Sequence, residues 1–200
     1  MYGSLYRGFD MIELKQISKA FDTHRVLDDL CLSFDTGSKT ALVGPSGCGK
    51  TTLFRIIAGL EAPDSGEVIK APRMRFSAVF QDDRLCENMT LYANLRLVCP
   101  KRIKKTELYK EAEKLGLSDF AGKTVSTFSG GMKRRASILR AMLAEFDVLV
   151  LDEPFNGLDA GTKSLCAKYI LGKLNGRTLI MITHNPEDIE LMGCEVYRLK

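Results

Sequence analysis

The feature that most constrains this chain is a glycine-rich stretch at positions 44–52, which reads Gly44-Pro45-Ser46-Gly47-Cys48-Gly49-Lys50-Thr51-Thr52. Residues 40–43 before it form an apolar run with strand propensity, and apolar residues recur at helical spacing from Leu53 to Leu60 after it. Glycines at this spacing between a strand and a helix let backbone N–H groups wrap around phosphate oxygens. The stretch is therefore predicted to be a phosphate-binding P-loop.

Two side chains of the P-loop have predicted roles of their own. Lys50 can reach the β- and γ-phosphates of a nucleotide, and the hydroxyl of Thr51 can coordinate Mg²⁺. The positive end of the following helix dipole adds to the attraction for an anion. The alternative is a glycine-rich turn with an incidental lysine, and the flanking strand and helix favour the P-loop.

Composition and charge restrict the classes of protein to which the chain can belong. The chain has 200 residues, enough for one sizeable core, and its net charge of +4 indicates no dedicated nucleic-acid surface. Its six cysteines are scattered without a CxxC pair, and its histidines stand only at positions 24 and 184. This argues against a zinc site and a disulfide scaffold, and is typical of the reducing cytosol.

No apolar run approaches the roughly 20 residues needed to cross a bilayer, and no signal peptide is evident. Any membrane role is therefore expected to depend on a partner. Residues 1–10 are interpreted as an irregular extension outside the fold, and Met11 as a candidate functional start.

Strand and helix patterns alternate along the chain and predict an α/β protein with a mostly parallel sheet. Met11–Ile17 and Val26–Phe34 alternate apolar with polar residues, as in paired strands covered on one face, whereas Val148–Leu151 is apolar throughout, as in a strand buried on both faces. We expect one domain, with a P-loop NTPase core and antiparallel β subdomain in residues 11–87 and 146–200, and an inserted α-helical subdomain in residues 88–145.

Helix boundaries follow from capping signals. Thr106 is a candidate N-cap for a helix that carries Leu108 on its apolar face and ends before Gly116. A second helix is predicted from about Gly131, and a third from about Asp159 to Leu171.

Two further motifs carry charge or anion-binding groups. The apolar run Val148–Leu151 is followed by Asp152 and Glu153, which is the form of a Walker B strand. Asp152 would then face Mg²⁺ through water, and Glu153 would polarise an attacking water. Ser129-Gly130-Gly131 at a helix start offers a hydroxyl and free N–H groups. Taken alone, the acid pair is also common as two surface residues after a strand. Taken alone, Ser-Gly-Gly is also common in linkers and turns.

With these motifs in this order, the sequence resembles the ATP-binding subunits of ABC transporters over nearly its whole length. Ser129-Gly130-Gly131 corresponds to the family signature, Gln81 to the Q-loop, Gly157-Leu158-Asp159 to the D-loop and His184 to the switch histidine. The resemblance implies that two copies sandwich two ATP molecules. The P-loop of one copy then faces the signature of the other, which stabilises γ-phosphate charge as an arginine finger does.

The resemblance also implies individual roles. Gln81 would contact Mg²⁺ and sense the γ-phosphate, Asp159 would act across the dimer interface, and His184 would bind the γ-phosphate and position the water of Glu153. Phe21 would stack on adenine, although an aromatic residue in an amphipathic strand is ordinarily a core residue.

The signature departs from the family pattern, because it begins with Phe128 and ends in Met132. Met132 with its basic run, and the segment Gln81–Leu85, resemble the nitrate, sulfonate and taurine importer ATPases. The basic stretch Lys101–Lys105 is interpreted as a solvated face, and no nucleic-acid partner is expected.

The leading hypothesis is an ATPase on the cytoplasmic face of a membrane, docked on an integral permease and most consistent with import. A solute-binding protein would act through that permease, and no residue here would touch the cargo. An exporter ATPase and a soluble ABC protein of repair or translation are the alternatives. A small-molecule kinase is disfavoured by Ser129–Gly131, Asp159 and His184.

Overall fold

The computed structural model describes residues 11–120 and 122–199, so the predicted extension at residues 1–10 lies outside the described residues. The strands are β1 (Met11–Phe21), β2 (His24–Asp35), β3 (Lys39–Val43), β4 (Ser65–Ile69), β5 (Phe76–Val79), β6 (Val148–Asp152), β7 (Thr178–Ile182) and β8 (Glu195–Arg198). The helices are α1 (Lys50–Ala58), α2 (Leu91–Arg96), α3 (Lys105–Glu113), α4 (Gly130–Leu143), α5 (Ala160–Leu174) and α6 (Pro186–Met192).

The strands form two sheets. The antiparallel sheet has the order β2-β1-β4, and the parallel sheet has the order β5-β6-β7-β3-β8. β1 and β2 run further than the alternating pattern predicted, because their ladder continues to Phe21 opposite His24, with register shifts on the way. Every pairing in the five-stranded sheet is parallel, which confirms the predicted fold class.

The register of the parallel sheet gathers the predicted site at one edge. Leu42 of β3 and Asp152 of β6 both pair with Ile182 of β7, so these three strands end together. The loops that follow carry the P-loop, Glu153 and His184. Ligands in such folds bind beyond the carboxyl ends of the strands, and the predicted residues lie at that edge.

The two faces of the parallel sheet are covered by different elements. Alternate residues of β6 point to opposite sides. Val148 and Val150 belong to an apolar cluster with α1 and the antiparallel sheet, whereas Leu149 and Leu151 belong to a second cluster with helices α2 to α6. All residues of β6 and β7 are therefore buried, as the continuous apolar run of β6 predicted.

The predicted cap of α3 is wrong. Lys104 occupies the N-cap position without a side-chain hydrogen bond, and Thr106 lies inside the helix. The carbonyl of Lys104 accepts the N–H groups of Glu107 and Leu108, so the helix begins before the threonine. Gly116 follows the helix end with φ +65°, as its position in the sequence indicated.

Candidate functional site

The P-loop joins the end of β3 to the start of α1, and two of its glycines have no room for a side chain. A Cβ on Gly44 would lie 2.7 Å from the sulfur of Cys48 and 2.8 Å from the carbonyl oxygen of Leu199. Gly49 has φ +91°, and its Cβ would lie 2.6 Å from the carbonyl oxygen of Val26. The loop is thus packed against β2 and the end of β8 in a conformation that only glycine adopts readily.

Lys50 is folded over this loop. Its Nζ donates to the carbonyl oxygens of Gly44 at 2.8 Å and Pro45 at 2.7 Å. The first turn of α1 carries no acidic residue and no side-chain cap, so its N–H groups remain available to an anion. A phosphate bound in the loop would meet both these N–H groups and the ammonium group.

Thr51 and Asp152 come together at the end of β6. The Thr51 hydroxyl donates to Asp152 Oδ2 at 3.4 Å, and Asp152 is only 6% exposed. Burial, and then the neighbouring charge of Glu153, raise the pKa of Asp152 above its usual value. A cation placed here would stabilise the ionised carboxylate.

The oxygens of Thr51 and Asp152 fit Mg²⁺, which favours oxygen ligands. Water and phosphate oxygens commonly complete the coordination sphere of Mg²⁺. In residues 11–120 and 122–199 no group of three or more histidine, cysteine, aspartate or glutamate side chains could hold a metal ion by itself. The third predicted ligand, Gln81, follows β5, the strand that pairs with β6, and its side chain is exposed.

Glu153 and His184 are in direct contact. His184 Nδ1 lies 2.7 Å from Glu153 Oε1, and the hydroxyl of Thr183 lies 3.3 Å from Glu153 Oε2. The Glu153 side chain is 16% exposed and the His184 side chain 79% exposed. Glu153 also has φ +47°, an uncommon conformation for a residue other than glycine and one concentrated at functional sites.

A polar chain behind Glu153 was missed by sequence reasoning. The Thr183 hydroxyl also lies 3.5 Å from Asp188 Oδ2, and Lys163 Nζ lies 2.7 Å from Asp188 Oδ1. Thr183 is fully buried and Asp188 is 3% exposed. The sequence contains one indication of this chain: Asn185-Pro186 is a typical helix start, and it places Asp188 in the first turn of α6.

The Ser129–Gly131 motif starts helix α4. The hydroxyl of Ser129 caps the helix by accepting the N–H of Met132 at 3.3 Å. A Cβ on Gly130 would meet nothing within 4 Å, so this helix end is open. In the described part of the chain, the hydrogen bonds of Ser129 stay within α4 and its cap, and none reaches the P-loop.

Asp159 is the N-cap of α5. Its carboxylate accepts the N–H of Thr162 at 3.0 Å and the Thr162 hydroxyl at 2.7 Å. These hydrogen bonds hold the pKa of Asp159 below its usual value. The structure therefore gives this residue a local capping contact, and its role across an interface stays a prediction.

Phe21 ends β1 and is 47% exposed, so it is not a core residue. Lys19 Nζ lies 5.4 Å from the centre of its ring. A cleft of about 520 Å³ beside the P-loop is lined by residues of β2, Cys48 and the end of β8, and Phe21 is not part of its wall. Stacking of Phe21 on adenine stays a prediction.

A family profile and individual relatives of known name agree in what this chain is similar to. A profile of the family described as ABC transporter matches residues 27–156. The spermidine/putrescine import ATP-binding protein PotA of Lawsonia intracellularis is 37% identical over 203 residues, covering 93% of this chain and 55% of that protein. The sulfate/thiosulfate import ATP-binding protein CysA of Pectobacterium atrosepticum is 35% identical over 197 residues, covering 88% of this chain and 60% of that protein.

The chain thus spans little more than half the length of these relatives. They do not confirm the finer resemblance to nitrate, sulfonate and taurine importers.

Solved structures agree on the fold. A structure titled as the ATP binding subunit of an ABC transporter superposes with a TM-score of 0.82 at 26% identity, covering 94% of this chain and 85% of that chain. A bacterial Atm1-family ABC exporter with ATP bound superposes with a TM-score of 0.84. It covers 98% of this chain and 38% of the exporter, at 22% identity, and shows the fold alone.

Proposed function

Because this chain belongs to the ABC transporter family, in its class of ATP-binding subunits, we propose that it hydrolyses ATP to power solute transport through a separate permease. One observation carries the enzymatic part of the proposal. The carboxyl edge of the parallel sheet brings together the P-loop, the Thr51–Asp152 pair and the Glu153–His184 pair. These are the groups that phosphoryl transfer to water requires.

The proposed mechanism assigns one task to each group. The P-loop N–H groups and Lys50 bind the phosphates, while Thr51, Asp152 and Gln81 hold Mg²⁺. When bound, Mg²⁺ neutralises charge on the phosphate oxygens.

Glu153 accepts the proton of the attacking water, which adds to the γ-phosphorus as the bond to the β-phosphate oxygen breaks. His184, in contact with Glu153 Oε1, holds that carboxylate in place and binds the γ-phosphate.

A second copy of this chain is proposed to complete the site. The start of α4 at Ser129–Gly131 is open and contacts no phosphate-binding group of its own chain among the described hydrogen bonds. Facing the P-loop of another copy, it would direct N–H groups and the helix dipole at the γ-phosphate. Asp159 would lie at the same interface.

Import is the direction that the named relatives favour, since both are import ATP-binding proteins. We propose attachment to an integral permease at the cytoplasmic face of the membrane, with a solute-binding protein acting through it. In residues 11–120 and 122–199, no helix has the length and apolar character to cross a membrane.

Glu153→Gln tests the chemistry. The amide cannot accept a proton, so phosphate release should fall by a factor of about 10²–10⁴, while ATP binding is retained. Glu107→Gln, at an exposed position of α3, is the matched control and should behave as the wild type. Normal phosphate release by Glu153→Gln would show that the base is assigned to the wrong residue.

Purification of the tagged chain from native membranes in mild detergent tests the transport role. Recovery of a permease with a solute-binding protein would support import, and recovery of a permease alone would shift the proposal to export. Recovery with soluble proteins or nucleic acid only would overturn the transport role and leave the ATPase proposal intact.

A further inference from the structure

We propose that Arg134 is a positioning residue that ties the Gln81 loop to the helix starting at Ser129, so that the two segments move as one unit. The proposal rests on the function proposed above, because it concerns two motifs of the ATP site. It adds a connection between them within one chain. The described side-chain contacts of Arg134 are with Phe80, Gln81 and Asp83.

The contacts of Arg134 all point to the loop after β5. Nη1 donates to the carbonyl oxygen of Phe80 at 2.7 Å, and Nη2 donates to the carbonyl oxygen of Gln81 at 2.6 Å. Nη1 also lies 3.3 Å from Asp83 Oδ1. Arg134 is only 7% exposed, so these bonds replace water contacts of the guanidinium group. A planar guanidinium group presents two separate donor nitrogens to these two successive carbonyls, whereas an ammonium group would have to bind both from a single nitrogen.

Neighbouring cations of α4 extend the same attachment. Lys133 Nζ lies 2.5 Å from Glu87 Oε1, and Arg140 Nη2 donates to the carbonyl oxygen of Asp83 at 3.3 Å. The segment 80–87 is therefore held along one side of α4. Arg134 is the buried member of this set and the one bonded to Gln81 itself.

The other side of the loop is held by the helix that follows the P-loop. The ring of Phe80 packs on Phe54 of α1, with centroids 5.6 Å apart, and Phe54 is buried. A chain of contacts therefore runs from α1 through Phe80 to Arg134 of α4. The backbone of Gln81 is anchored while its side chain is exposed, an arrangement suited to a side chain that must meet a ligand.

Arg135 provides a matched control on the same helix. Its Nη1 donates to the carbonyl oxygens of Leu115 at 2.7 Å and Gly116 at 3.4 Å, at the end of α3. Its Nε also donates to the carbonyl oxygen of Gly131 within α4 at 3.3 Å. Arg134 and Arg135 thus carry the same charge and both donate to backbone carbonyls, but only Arg134 binds the Gln81 loop.

The first measurement is amide hydrogen exchange of the nucleotide-free chain. In Arg134→Gln, exchange of the Cys86 N–H, which donates to Asn94 Oδ1 at 2.8 Å within the same segment, should accelerate about tenfold or more, while residues 115–117 stay protected. Arg135→Gln should show the opposite pattern. Arg134→Lys, which keeps the charge but loses the paired geometry, should fall between Arg134→Gln and the wild type, and it decides the question if Arg134→Gln does not fold.

The second measurement is ATP hydrolysis by the same variants. With the Gln81 loop released, kcat should fall about tenfold and the Mg²⁺ concentration for half-maximal activity should rise, while the KM for ATP changes less than about twofold. The P-loop contacts that set ATP affinity are untouched. Arg134→Lys should recover part of kcat.

Two results would overturn the proposal. One is unchanged exchange of the Cys86 N–H in Arg134→Gln, or equal acceleration there in Arg135→Gln, which would show that Arg134 does not anchor the loop. The other is faster exchange with unchanged kcat and Mg²⁺ dependence, which would leave Arg134 only a structural role. A wild-type chain that neither binds nor hydrolyses ATP would instead overturn the proposed function, and the exchange data would still decide the anchoring.

Discussion

At the scale of single residues, the glycines of the P-loop differ in what surrounds them. Gly47 and Gly49 both have positive φ, at +83° and +91°. A Cβ on Gly47 would meet nothing within 4 Å, whereas one on Gly49 would lie 2.6 Å from the carbonyl oxygen of Val26 and 2.8 Å from Leu27 Cδ2. Gly47 is thus required for backbone conformation alone, and Gly49 for conformation and space.

This difference predicts unequal costs for two alanine substitutions. Gly47→Ala should lower the free energy of unfolding by about 1–2 kcal/mol, the cost of an unfavourable φ. Gly49→Ala should cost about 3 kcal/mol or more, because the hairpin of β1 and β2 must also move. Urea unfolding monitored by circular dichroism measures both. Equal costs would mean that the loop can relax away from Val26.

At the scale of elements, α3 and α5 are joined by Glu111. Its Oε2 accepts the Tyr169 hydroxyl at 2.7 Å and lies 2.6 Å from Lys173 Nζ, while Oε1 lies 2.8 Å from Lys114 Nζ. Burial alone would raise the pKa of Glu111, but the hydrogen bonds from Lys114, Lys173 and Tyr169 outweigh it and lower the pKa from 4.5 to about 2. The ionised carboxylate therefore stabilises the contact between these helices.

Glu111→Gln should lower the free energy of unfolding at pH 7 by about 2–3 kcal/mol. Because the folded-state pKa is depressed, the contribution is fully present above about pH 4.5 and is lost as the pH falls towards 2. The difference between wild type and variant should accordingly shrink across that window.

Urea titrations at pH 7 and pH 3 test the Glu111 prediction, with Glu107→Gln as an exposed control on the same helix. A difference independent of pH would rule out the charged contact as its source.

At the scale of the whole molecule, one chain carries both halves of a site that it is proposed to share with a second copy. Gly131→Asp adds a negative charge at the start of α4, where the nearest atom to a Cβ is Leu158 Cδ2 at 3.6 Å, an ordinary van der Waals distance. Lys50→Ala disables the P-loop instead. Each variant alone should be inactive, because every dimer holds two defective sites.

Mixing the two variants should restore activity. A mixed pair has one intact site, formed by the P-loop of the Gly131→Asp copy and the signature of the Lys50→Ala copy. Random pairing should therefore recover about a quarter of the wild-type phosphate release. Phosphate release after co-incubation with ATP is the measurement, and each variant alone at the same total protein concentration is the reference. No recovery in the mixture would show that the site is not shared in this way.

Much of the fold, and the edge of the sheet at which the candidate site residues lie, could be predicted because both depend on local patterns. The continuous apolar run Val148–Leu151 requires burial on both faces, and the spacing from Gly44 to Thr51 defines a loop at a strand-to-helix junction. Parallel strands then bring the acids at the end of β6 to the same edge as the P-loop. The N-cap of α3 was predicted wrongly, since a capping residue is only one of several ways to start a helix.

The sequence by itself therefore determined which elements form and which chemistry the P-loop and the paired acids can support. Only the tertiary structure decided which partner each buried or half-buried charge has. These partners are the carbonyl of Gln81 for Arg134, Asp188 for Lys163, and the hydroxyl of Tyr169 for Glu111. Hydrophobic periodicity is written in neighbouring residues, so it can be recognised from a short segment. The partner of a buried charge is chosen by the packing of whole elements, because only a folded core makes an unpaired charge costly.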